Sequence, residues 1–296
     1  MTAIVETKSL SKRYGNNWAL RNCTLQLPQG GVIALVGPNG AGKTTLLQLV
    51  VGLLRPTEGS VTVNRRRPFE EPAAVLPQVA FVAQDRPLYG GLTAEEHLTL
   101  GRQLNKKWAD DAVRNRFGRL RIPLDRKVRH LSGGQQAQVA LGLGLAKQAD
   151  VVVLDEPLAS LDPLARQEFL QTLMEAISET GTTVLLSSHI VAELERTCDY
   201  LLIIADARIQ LAEDIENTLA THRRVIGPLE SWPALSSLHD VIFASHTARQ
   251  ATAVVRTNGK IFDPVWEVHA VTLEELVLAY LSRTQSESAD PKKAMA

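Results

Sequence analysis

Gly37-Pro38-Asn39-Gly40-Ala41-Gly42-Lys43-Thr44-Thr45 carries the first chemistry legible in this chain. Its spacing fits G-x-x-x-x-G-K-[ST], a pattern suited to holding phosphate groups. Dense negative charge has to be gripped without a wall of side chains. Glycines let the backbone turn so that successive N–H groups point inward, and the N-terminus of a following helix adds partial positive charge. Lys43 supplies a mobile point charge for the outer phosphates, and the Thr44 hydroxyl is of the type that ligands Mg²⁺.

Three further groups of residues could share that chemistry. Val151-Val152-Val153-Leu154 runs into Asp155-Glu156, so an apolar strand ends in two carboxylates, at the end of a parallel strand where ligands sit. In a phosphate-loop protein the first acid helps to place Mg²⁺. Leu131-Ser132-Gly133-Gly134-Gln135 precedes a helical pattern, which makes it a second place where backbone N–H groups converge on an anion. His189 follows Thr182–Leu186, another buried strand, at the sheet edge expected for Asp155. A loop cap, solvating acids and a structural histidine are the bland readings of these three taken singly.

The elements that must position these groups are readable too. Val32–Val36 is an apolar strand leading into the glycine-rich turn, and Leu46–Val51 a helix leading out of it. Two short strands over 3–10 and 19–27 flank a loop containing Lys12-Arg13-Tyr14-Gly15. Strands also cover Ser60–Asn64 and Val79–Ala83, the latter ending at Gln84. Thr93 and Glu96 form a capping box that opens a helical region reaching about residue 120. Asp162-Pro163 gives a helix its N-cap and first residue, with Gly181 at its far end. Tyr200–Ala205 and Arg208–Leu211 complete the strands of this region. Beyond residue 215 the pattern changes. Strands near Asp240–Ser245 and Ala251–Thr257 run into Asn258-Gly259, a hairpin signal. Thr272–Leu281 is amphipathic, and 284–296 reads as a polar, disordered tail.

Composition narrows the partners. Lys+Arg and Asp+Glu are both 32 in 296 residues, so no global basic field argues for nucleic acid. Cys23 and Cys198 have neither metal-ligand spacing nor a disulfide framework, and suit a reducing cytosol. The N-terminus lacks an apolar signal core, and no stretch approaches the ~18 apolar residues of a membrane span. Work at a membrane would need another chain to cross it.

Taken together, residues 4–215 resemble the ATP-binding subunit of an ABC transporter. The motifs occur in that family's order: Tyr14 as the aromatic of the A-loop, Gly37–Thr45 as Walker A, Gln84 as the Q-loop, and Leu131–Gln135 as the LSGGQ signature. Val151–Glu156 follows as Walker B, Ala159-Ser160-Leu161-Asp162 as the D-loop and His189 as the H-loop. The resemblance implies an α/β fold, a P-loop NTPase with a RecA-like parallel-sheet core over 1–215. To that core it adds an N-terminal antiparallel β subdomain and a helical signature subdomain over about 86–145, while residues 216–283 read as a small α+β appendage.

It also implies ATP and Mg²⁺ as cofactors and a head-to-tail pair of ATPase subunits, as a homodimer or with a second such subunit. Tyr14 would stack on adenine, while Gly37, Pro38, Asn39, Gly40, Ala41, Gly42, Lys43, Thr44 and Thr45 hold the phosphates. Thr44, Gln84 and Asp155 would organise Mg²⁺, directly or through water. Glu156 would act as general base, with Lys43 and His189 at the γ-phosphate. Ser132, Gly133, Gly134, Gln135 and Asp162 would act in trans on the partner's nucleotide. An integral membrane permease is the implied partner, docked near Gln84–Leu100, which puts the chain in the cytoplasm against the inner face of the cell membrane.

The chain departs from the family after the signature, where Gln136-Ala137-Gln138 lacks the usual basic residue. The γ-phosphate ligands are unaffected, and hydrolysis is expected. The region after 215 resembles the C-terminal parts of ATPase subunits of bacterial ABC-2-type exporters, which tilts the expectation toward export. The alternative is a soluble ABC ATPase acting on ribosomes or nucleic acid. A single ATPase domain without a heptad run, at zero net charge, counts against it.

Overall fold

The computed structural model describes residues 3–257, 259, 261 and 264–288. The chain opens with β1 (Ala3–Tyr14), β2 (Asn17–Pro28), β3 (Val32–Val36), α1 (Lys43–Val50), β4 (Glu58–Val63), α2 (Pro72–Val75) and β5 (Val79–Val82). β2, β1 and β4 make a three-stranded antiparallel sheet. Both strands of the first hairpin are longer than their sequence pattern predicts. Register shifts along β1 and β2 break the alternation while the pairing continues to Tyr14–Asn17. Lys12, Arg13 and Tyr14 therefore belong to the strand, and the turn is Gly15-Asn16.

A helical unit follows, with α3 (Ala94–Leu104), α4 (Asp110–Arg119) and α5 (Gly133–Ala146). Thr93 caps α3 through the reciprocal bonds with Glu96 that the sequence predicts. The three helices close on their own apolar cluster, which includes Leu98, Val113, Phe117 and Val139. Gly142 lets α5 approach Phe117, since a Cβ there would lie 2.6 Å from the ring.

The chain then returns with β6 (Val151–Leu154), α6 (Pro163–Thr180), β7 (Thr183–Ser188), α7 (Val191–Leu194), β8 (Tyr200–Ala205), β9 (Arg208–Asp214) and α8 (Ile215–Thr221). The central sheet has the order β5-β6-β7-β3-β8-β9, parallel except for the β8–β9 pair. β3, β6 and β7 are buried at every residue, as strands covered on both faces must be. Their register aligns the carboxyl ends, with Val36 beside Ser188 and Leu154 beside Leu186. On one side α1 buries Leu46, Leu47, Leu49 and Val50, each worth roughly 1.5–3 kcal/mol. That anchorage holds the first turn of α1 at the sheet edge.

The last stretch holds β10 (His222–Pro228), α9 (Trp232–Leu238), β11 (Asp240–His246), β12 (Gln250–Arg256), β13 (Glu267–Ala270) and α10 (Leu273–Ser288), with the sheet order β11-β12-β10-β13. The strands β11 and β12 pair as a hairpin turning at 247–249, and β12 pairs with β10 on its other side. The hairpin signal Asn258-Gly259 includes Asn258, which lies outside the described residues. One sequence expectation fails here: α10 continues through Ser288, so the first five residues of the expected tail are helical, while 289–296 lie outside the described residues. β10, central to this sheet, has no counterpart among the strands expected from sequence, because two arginines, a glycine and a proline mask its alternation. Leu273, Leu276 and Val277 of α10 share one apolar cluster with Leu201 and Ile203 of the main sheet.

Candidate functional site

The glycine-rich turn leaves β3 and enters α1 at Gly42, whose φ of 107° is left-handed. Gly42 makes no side-chain cap, so the first-turn N–H groups of α1 are left for a ligand rather than closed by a neighbouring hydroxyl or carboxylate. By contrast α3, α5 and α6 are capped by Thr93, Ser132 and Asp162. Space enforces the glycines. A Cβ on Gly37 would lie 2.2 Å from the Ile204 carbonyl, and one on Gly42 would lie 2.2 Å from the Ala19 carbonyl of β2. Pro38, Asn39, Gly40 and Thr44 are exposed around the turn, Thr45 is half-buried, and Ala41 packs inward.

Lys43 is 5% exposed and folds back over the turn. Its Nζ donates to the carbonyls of Gly37 at 2.8 Å and Pro38 at 3.2 Å, and lies 3.2 Å from Glu156 Oε1. The other oxygen of Glu156 accepts from His189 Nδ1 at 2.9 Å. One carboxylate therefore bridges the cation of the phosphate turn and the histidine after β7. Glu156 holds this position with a left-handed backbone, φ 44°, a conformation that costs energy in a non-glycine residue and concentrates at functional sites.

Asp155, fully buried, is fixed by Ser187, a residue that no sequence motif singles out. Ser187 Oγ donates to Asp155 Oδ1 at 2.8 Å and accepts from the Glu156 N–H at 2.8 Å. One hydroxyl thus orients both acids. Only its place just ahead of Ser188-His189 at a strand end could have drawn attention to it. The Asp155 N–H donates to the Val82 carbonyl, which ties Walker B to β5 and hence to Gln84, exposed just beyond it.

The donors fit a phosphate-bound Mg²⁺. Asp155 offers a buried carboxylate with one oxygen engaged by Ser187, and Thr44 is exposed in the first turn of α1. Among the described residues no group of three or more His, Cys, Asp or Glu could cage a metal. A site with few protein ligands, completed by phosphate and water, suits Mg²⁺. Tyr14 is 49% exposed at the hairpin tip, with Lys12 Nζ 5.3 Å from its ring centroid. Its register partner Asn17 lies two residues before Ala19, whose carbonyl abuts Gly42. That places the aromatic on the hairpin that covers the phosphate turn.

Ser132, Gly133, Gly134 and Gln135 form the opening turn of α5. Ser132 caps α5 and Gln135 reciprocates. With Ser160, Asp162 and Gln138 they line a cavity of about 420 Å³. Asp162 caps α6 through the Ala165 N–H at 3.0 Å. Among the described residues no hydrogen bond or ion pair joins Ser132–Gln135 to Gly37–Thr45. The structure thus brings Lys43, Asp155, Glu156 and His189 together, and separately the signature with the D-loop.

Comparison with known proteins identifies the family. The family profile described as ABC transporter matches residues 20–159, and an AAA-domain profile (putative AbiEii toxin, Type IV TA system) matches 124–195. The chain is 35% identical over 219 residues to the Nod factor export ATP-binding protein I of Cupriavidus metallidurans, covering 72% of this chain and 71% of that one. It is 29% identical to the lantibiotic transport ATP-binding protein SrtF of Streptococcus pyogenes, covering 73% and 93%. A solved ATP-binding subunit of an ABC transporter superposes with a TM-score of 0.65 at 30% identity, covering 72% of this chain and 91% of its own. A dimeric ATP-binding cassette, solved in a post-hydrolysis state with ADP and phosphate, superposes with a TM-score of 0.64 at 25% identity, covering 71% and 98%.

Proposed function

This chain belongs to the ABC transporter ATP-binding family and is an ATPase, and we propose that it energises export through a separate membrane permease as one of two head-to-tail subunits. The observation that carries this reading is the bridge Lys43–Glu156–His189 at the carboxyl edge of the parallel sheet.

Lys43 and the amides of the glycine-rich turn hold the β- and γ-phosphates, and Tyr14 stacks on the base. Glu156 accepts the proton of the attacking water as the oxygen–phosphorus bond to ADP breaks, giving ADP and phosphate. His189, hydrogen-bonded to the same carboxylate, orients Glu156 and contacts the γ-phosphate. Thr44, Asp155 and Gln84 would hold Mg²⁺, which neutralises charge on the phosphate oxygens. Such catalysis is positioning and electrostatics more than covalent chemistry.

Two features support a dimer. The signature residues line a cavity with the D-loop to which none of Gly37–Thr45 contributes, and a similar solved structure is a dimer. Ser132, Gly133, Gly134, Gln135 and Asp162 then serve the partner's nucleotide, so hydrolysis waits on closure. Among the described residues no helix is long and apolar enough to cross a membrane. Relatives named as export and transport ATP-binding proteins support a permease as the membrane partner, with this chain against its inner face. Export is favoured because a similar relative is named for Nod factor export.

Capture of the tagged chain from detergent-solubilised membranes tests the reading. ATPase activity with a co-purifying polytopic membrane protein is expected. Activity with only ribosomes or DNA attached would overturn it. Ser132→Arg tests the dimer: nucleotide binding by the monomer should survive while ATP-driven association is lost.

A further inference from the structure

Arg86 follows Gln84 by two residues and has no part in the phosphate chemistry above. Its backbone is left-handed, φ 46°. Guanidinium Nη1 donates to the Gly133 carbonyl at 3.0 Å, and Nη2 donates to the Ser160 hydroxyl. Gly133 is the first residue of α5 and lies within the signature. Ser160 lies in the turn that leaves Glu156, where the Ala159 N–H donates to the Glu156 carbonyl. One planar fork therefore spans three segments: the loop after β5, the signature turn of the helical unit, and the D-loop of the core.

Among the described residues no other side-chain bond makes this connection. The remaining side-chain bonds of the signature turn are local, between Ser132 and Gln135 and from Gln136 to the Leu131 carbonyl. Gln138 lines the same cavity, buried, with neither amide atom partnered. Helix stabilisation does not account for Arg86 either. A cation beside the first turn of a helix opposes the helix dipole, so this placement costs α5 stability unless an anion shares the site.

We infer that Arg86 is a positioning residue that clamps the signature turn to the D-loop of the same subunit, so that the two segments serving the partner's nucleotide are presented as one rigid unit. The inference rests on the dimer reading above. Arginine suits the task because its rigid fork makes two bonds in fixed directions, whereas lysine offers a point charge on a flexible stem.

The test uses the full chain with Glu156→Gln, so that hydrolysis does not blur the equilibria, and compares Arg86→Ala, Arg86→Lys, Ser160→Ala and the Arg86→Ala/Ser160→Ala double variant. Binding of a fluorescent ATP analogue to dilute monomer and Mg-ATP-driven dimerisation by sedimentation are read separately. The Hill coefficient of ATP hydrolysis is read with Glu156 restored. Arg86→Ala should leave monomer affinity within about twofold and weaken ATP-driven dimerisation about tenfold. It should also move the Hill coefficient toward one. Arg86→Lys should fall between, and the double variant should be no worse than Arg86→Ala alone, because both changes break the same link. Dimerisation and cooperativity equal to the parent's would overturn the inference. So would a loss confined to monomer binding or thermal stability, or strictly additive effects. A Glu156→Gln parent that fails to dimerise with ATP would remove the dimer reading and this role with it, and is seen before any Arg86 variant is compared.

Discussion

Glu156→Gln should separate binding from hydrolysis more sharply than any other single change. In the structure Glu156 Oε1 sits 3.2 Å from Lys43 Nζ, in a pair whose side chains are 5% and 10% exposed. At an effective dielectric near 20 that contact is worth about 5 kcal/mol gross, from which desolvation of both charges subtracts. Glutamine keeps a hydrogen bond to Lys43 but neither the charge nor the repulsion toward an incoming γ-phosphate. About 1–2 kcal/mol of the pairing is then released to nucleotide binding, so the variant should bind ATP roughly five- to thirtyfold more tightly. Loss of the general base should lower kcat by about 10²–10⁴. Phosphate release measures the second effect, and titration with a fluorescent nucleotide measures the first. With ATP present the variant should also elute as a stable dimer. Turnover within about threefold of the parent would refute the general-base role, and weaker ATP binding would refute the idea that Glu156 competes with phosphate for Lys43.

Ser187→Ala should leave Asp155 Oδ1 and the Glu156 N–H without their shared partner, at a cost of about 2 kcal/mol, read as a melting temperature several degrees lower. The Mg²⁺ concentration needed for half-maximal ATPase activity should rise with it, and an unchanged requirement would show that Ser187 does not orient Asp155. His222, fully buried, carries a proton on Nδ1 for the Thr218 carbonyl at 2.7 Å and presents Nε2 to the Tyr280 hydroxyl at 3.0 Å. Burial is the main cause that holds its pKa below the ordinary histidine value, and it pushes Tyr280 up to about 12. Because the folded value is the lower one, the neutral ring stabilises the fold above the unfolded pKa of about 6.5. That contribution is lost as pH falls through the folded value, with a slope of at most about 1.4 kcal/mol per pH unit. Melting curves between pH 7.5 and 5.5 should show a steeper acid-side decline for the parent than for His222→Gln, and parallel declines would refute the assignment.

The segments that bind phosphate are written in local residue order, so much of the site is legible in the amino-acid sequence itself. Gly37–Thr45, Leu131–Gln135 and Val151–Glu156 each combine backbone freedom, charge and a flanking apolar run within a few residues, and local chemistry of that kind survives in sequence. The caps at Thr93 and Asp162 are legible for the same reason, because a cap joins residues three apart.

Contacts between strands and loops distant in sequence are decided by tertiary structure. Only the parallel register puts Ser187, 31 residues from Glu156, against both acids, and only the return of the chain brings Arg86 to Ser160, 74 residues away. β10 has no clear sequence signal because its place at the centre of a sheet rests on its neighbours, β12 and β13, and its own alternation is weak. The chemistry therefore resides in short motifs that sequence alone determines. Which carboxylate meets which cation, and what clamps the signature turn to the D-loop, depends on loops that meet in space, and no local pattern encodes that meeting.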